Sequence, residues 1–130
     1  MSSPIVEKIL RDGVSSLNVG MLAPAVRAKL LGDAGDRLLH TGELLKAAEA
    51  YTVGGCTEKL KATGAWLLEQ KRYGVAAHFL RPVGKPEELE RLAAECVAAG
   101  EIEAAKALYR ELGQHEMVRF LEENLGGLGR

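Results

Sequence analysis

The chain has 130 residues, 47% of them hydrophobic and 27% charged, a composition that suits a folded globular domain and excludes a disordered one. Its formal net charge of −1 supplies no overall pull toward nucleic acid, and no apolar run approaches the roughly 20 residues of a membrane-spanning helix. Aromatic residues are scarce at 5%, while Ala and Leu abound, which favours helices over sheets.

In chain order, Ser3-Pro4 reads as an N-cap followed by proline at the first helical position. Ile5, Val6, Ile9 and Leu10 space as one apolar face, and Gly13 stops that helix. The opening MSSPIVEKIL carries an acid and no long apolar region, so no secretory signal is expected. Gly13 to Gly20 is the weakest segment, because Ser15, Ser16 and Asn18 compete for their own backbone. Pro24 starts the next helix, with Val26, Leu30, Leu31, Leu38 and Leu39 expected as its buried face. Gly42 turns the chain into a second helix from Glu43 to Ala50, and Thr52 to Cys56 reads as a loop closed by Thr57 as an N-cap. Residues 58–70 and 72–80 form the next pair. After a break at Arg81 to Pro86, Pro86 starts another helix with Leu89, Leu92, Cys96 and Val97 facing inward, and Gly100 turns the chain into its mate at residues 101–111, which Gly113 stops. A last helix starts near His115, and residues 126–130 read as a flexible glycine-rich tail.

These elements repeat. Leu38–Tyr51 recurs 29 residues on as Leu67–Leu80, and again as Cys96–Tyr109. The columns run Leu31, Leu60, Leu89, Val118; Leu38, Leu67, Cys96; Leu39, Leu68, Val97; Ala47, Ala76, Ala105; and Gly55, Gly84, Gly113. A fixed period in this range marks stacked units that cannot bury their apolar faces alone. One domain over residues 1–125 is expected, with repeats at 28–56, 57–85 and 86–114 and partial repeats at each end. The expected fold is all-α, about eight helices in antiparallel pairs.

The column pattern resembles the tetratricopeptide family and its clathrin-like and coatomer-like relatives. A large residue (Leu31, Leu60, Leu89) precedes by four a small one (Gly35, Gly64, Ala93), and the segment AGEIEAAKALY is the closest local match to a tetratricopeptide second helix. The period is 29 where that family's is 34, and the family's proline after the second helix is absent, which is closer to the short hairpins of clathrin-type repeats. The resemblance implies a right-handed α–α superhelix, a solenoid whose first helices line a concave groove. On that mapping Leu39, His40, Lys61, Trp66, Leu68, Glu69, Arg91 and Val97 are the candidate partner-binding residues.

Signals of chemistry are weak. Gly54-Gly55-Cys56-Thr57 places a thiol at a helix start, where a pKa can fall, but it has neither P-loop spacing nor a lysine before Thr57. His40, His78 and His115 pair with no other His or Cys at metal-ligand spacing, and no catalytic triad or nucleotide fingerprint is present. Trp66 is the only tryptophan, in a column otherwise filled by Arg37, Glu95 and Asn124. Charge is uneven: residues 1–85 hold 12 Lys/Arg and 8 Asp/Glu, whereas residues 86–124 hold 4 and 10. The expectation is a cytoplasmic, noncatalytic scaffold or adaptor. It needs no cofactor or metal and binds a protein or peptide rather than nucleic acid or membrane. A self-assembling module joined end to end is the alternative, and a thiol-based redox or small-molecule-binding protein using Cys56 is a remote one.

Overall fold

The computed structural model describes residues 3–14 and 18–125, and among them there is no strand. Eight α-helices follow in order: α1 (Pro4–Asp12), α2 (Pro24–His40), α3 (Leu44–Gly54), α4 (Thr57–Glu69), α5 (Tyr73–Leu80), α6 (Pro86–Ala98), α7 (Ile102–Glu111) and α8 (His115–Leu125). A 3-10 turn, Val19–Met21, stands before α2. Ser15, Ser16 and the tail 126–130 lie outside the described residues. The chain divides into two compact units, Met1–Ala62 and Thr63–Arg130, with the boundary inside α4.

The helix starts follow the sequence signals. Ser3 Oγ accepts from the Val6 N–H at 3.1 Å, and Pro4, Pro24 and Pro86 occupy first helical positions, where a missing N–H costs nothing. Glu88 reaches back to accept from the Lys85 N–H at 3.0 Å. The stops share one device. At 42, 71 and 100 the backbone turns left-handed, with φ of +85°, +60° and +80°. The N–H of the following residue then bonds the carbonyl five back: Glu43 to Leu38 at 2.9 Å, Arg72 to Leu67 at 3.0 Å, Glu101 to Cys96 at 2.8 Å. This six-to-one closure satisfies orphan carbonyls and reverses the chain within three residues. Gly13, 29 residues before Gly42, also has positive φ, at +91°.

In the first unit, α2 and α3 run antiparallel: Gly35 lies beneath the Tyr51 ring and Gly54 against Leu31. A Cβ on Gly35 would collide with that ring, so the roughly 1 kcal/mol that a mid-helix glycine costs secures a close helix contact. Leu31, Ala34 and Leu38 meet Ala47, Ala50 and Tyr51 in the core. Four expectations fail here. Thr52 to Gly54 is the last turn of α3 rather than loop, because Gly54 is buried on Leu31 and Cys56 N–H closes onto the Tyr51 carbonyl at 2.9 Å. Cys56 itself is then the cap residue of α4, its carbonyl accepting from Leu60 N–H at 3.0 Å. Val26, expected in the core, is 48% exposed: it stands five residues before the buried Leu31 and so points about 140° away from it around α2. Ile5 of α1 is likewise exposed, while Val6 and Ile9 are buried.

In the second unit one core gathers Ala77 of α5; Leu89, Leu92, Ala93 and Cys96 of α6; Ile102, Ala105, Leu108 and Tyr109 of α7; and Val118 and Leu121 of α8. The Glu101 carboxylate, from the turn before α7, accepts from the Gly74 N–H at 3.0 Å and caps the start of α5 from a distance in sequence.

Two substitutions test this packing. Lys71 holds a left-handed conformation where its counterparts are Gly42 and Gly100, so Lys71→Gly should raise the denaturation midpoint by about 1 kcal/mol of stability. Ala105 is fully buried, as are Ala47 and Ala76, and Ala105→Leu should cost roughly 1–3 kcal/mol by overpacking. An unchanged urea midpoint in either case refutes the corresponding contact.

Candidate functional site

The candidate partner-binding residues fall on three helices. Leu39 and His40 end α2, Lys61, Trp66, Leu68 and Glu69 stand on α4, and Arg91 and Val97 on α6. His40, Lys61, Glu69 and Arg91 are exposed, whereas Leu39, Leu68 and Val97 are half-buried. Leu68 and Val97 pack against the core of the second unit, so they serve stability as well as surface. Trp66 is 48% exposed, too open to be a core residue. Trp66 and Leu68 are two residues apart and so point about 160° away from each other around α4. One contact surface on that helix holds one or the other, not both.

Sequence reasoning missed Phe120, which is 53% exposed on α8. The signal was there: by the 29-residue count its column otherwise holds Asp33, Ala62 and Arg91, the same contrast that singled out Trp66.

It also missed a polar network in the first unit. Tyr51 Oη donates to Asp36 Oδ1 at 2.6 Å, and Lys59 Nζ donates to both Asp36 oxygens at 2.8 Å. The ammonium also lies 5.9 Å from the centre of the Tyr51 ring. Burial pushes the Asp36 carboxyl up, but the hydrogen bonds from Lys59 and Tyr51 outweigh it and hold the group below its ordinary value. The Tyr51 phenol is driven well above its ordinary range, first by burial and then by its bond to Asp36. It is a permanent donor. Asp36 is thus engaged within its own unit.

Burial raises the Cys56 pKa; Lys59 opposes this and Asp36 adds to it. Its Sγ lies 3.6 Å from the Ala28 carbonyl, half-buried. The start of α4 therefore does not activate the thiol. Cys96 is buried and its pKa is pushed up to about 12, by burial first and then by Glu101 and Glu95. Among the described residues no cluster of three His, Cys, Asp or Glu side chains is placed to hold a metal ion, and no helix is long and apolar enough to cross a membrane.

Comparison with family models, with curated proteins and with solved structures yields no match for this chain.

Two measurements follow. Tyr51→Phe and Asp36→Asn should each cost about 1 kcal/mol at neutral pH, an ordinary value for one hydrogen bond in a partly exposed setting. Because the folded carboxyl lies below its usual value of 3.8, its contribution is full above that pH and fades as the pH falls through the folded pKa. The gap between the native chain and Asp36→Asn should therefore close under acid in urea titrations. With a disulfide thiol reagent at pH 7, Cys56 should label more slowly than a free thiol, and Cys96 only on unfolding. Rapid labelling of Cys56 alone would revive the redox reading.

Proposed function

We propose that the chain is a noncatalytic, cytoplasmic helical-repeat protein that binds another protein. Its helix pairs stack as a right-handed solenoid of the tetratricopeptide or clathrin type. The observation that carries this reading is the recurrence of one hairpin device, a left-handed stop at 42, 71 and 100 with a fully buried alanine at 47, 76 and 105, beside large apolar side chains left exposed. Helical hairpins built on one template suit the display of side chains on a rigid surface. Exposed Trp66 and Phe120 are the side-chain types that anchor interfaces. On this reading each first helix offers one half-buried apolar residue, Leu39, Leu68 or Val97, beside charged ones. That combination fits a peptide or partner helix better than a nucleic acid backbone. The raised thiol pKa values count against nucleophilic or redox chemistry at Cys56 and Cys96.

A second reading, end-to-end self-assembly, is favoured by the net +4 of residues 1–85 against the net −6 of residues 86–124. Light scattering at low and high salt separates the two, because end-to-end pairing predicts a mass that falls as salt rises.

Affinity capture under native salt, followed by mass spectrometry, should recover a protein partner. Charge reversal at Lys61 and Arg91 should reduce that capture, and undiminished capture would refute the mapping. Leu68→Ser should cost about 1–2 kcal/mol, less than a full core truncation, because the side chain is only partly buried. It should also weaken the partner. A loss of stability with binding intact would assign Leu68 to the core alone.

A further inference from the structure

We draw no further inference here: the strongest candidate, the surface patch on α8 around the exposed Phe120, is flanked by charges of both signs in Glu116, Arg119 and Glu123, and nothing in the structure shows what covers it.

Discussion

Chain reversal at a single left-handed residue is the constraint on which the rest of this structure depends. A helix ending at His40, Glu69 or Ala98 leaves carbonyls unpaired, and one residue of positive φ lets the next N–H groups fold back and bond them. The chain then has three residues in which to return, so consecutive helices have to pack on one another. Where they approach most closely there is room only for small side chains, hence Gly35 under Tyr51 and the fully buried Ala47, Ala76 and Ala105. Local backbone chemistry and long-range packing thus impose the same spacing on the sequence.

One polar network ties the helices of the first unit together. Asp36, Tyr51 and Lys59 come from three successive helices and satisfy one another, so their hydrogen-bonding capacity is turned inward. Burial is the largest influence on both thiols, Cys56 here and Cys96 in the second unit, and raises the pKa of each. Among the large apolar side chains left exposed are Met21, Leu45, Trp66 and Phe120.

Much of this was legible in the sequence because it depends on periodicity and caps. The 29-residue step placed Gly42, Lys71 and Gly100 in one column, and all three are left-handed. The same step put Leu31, Leu60, Leu38, Leu67 and Cys96 in core columns, and all are buried. Ser3, Pro4, Pro24 and Pro86 marked helix starts for reasons contained in those residues alone. A helix face, its ends and its small contact positions are local properties, written in spacing.

The tertiary structure alone decided how far each neighbour reaches. Val26 reads as apolar with Leu30 and Leu31, yet it is exposed on a different side of α2 from the buried Leu31. Thr52 to Gly54 carries loop-like residues, yet it stays helical because Gly54 fits against Leu31. Trp66 and Leu68 both read as contact residues, but a helix turns by about 100° per residue and sends them to different sides. The pairing of Asp36 with Tyr51 and Lys59 joins side chains 15 and 23 residues apart, which no local pattern encodes. Spacing says which residues prefer to be covered, and the length and reach of the neighbouring helix determine which of them are.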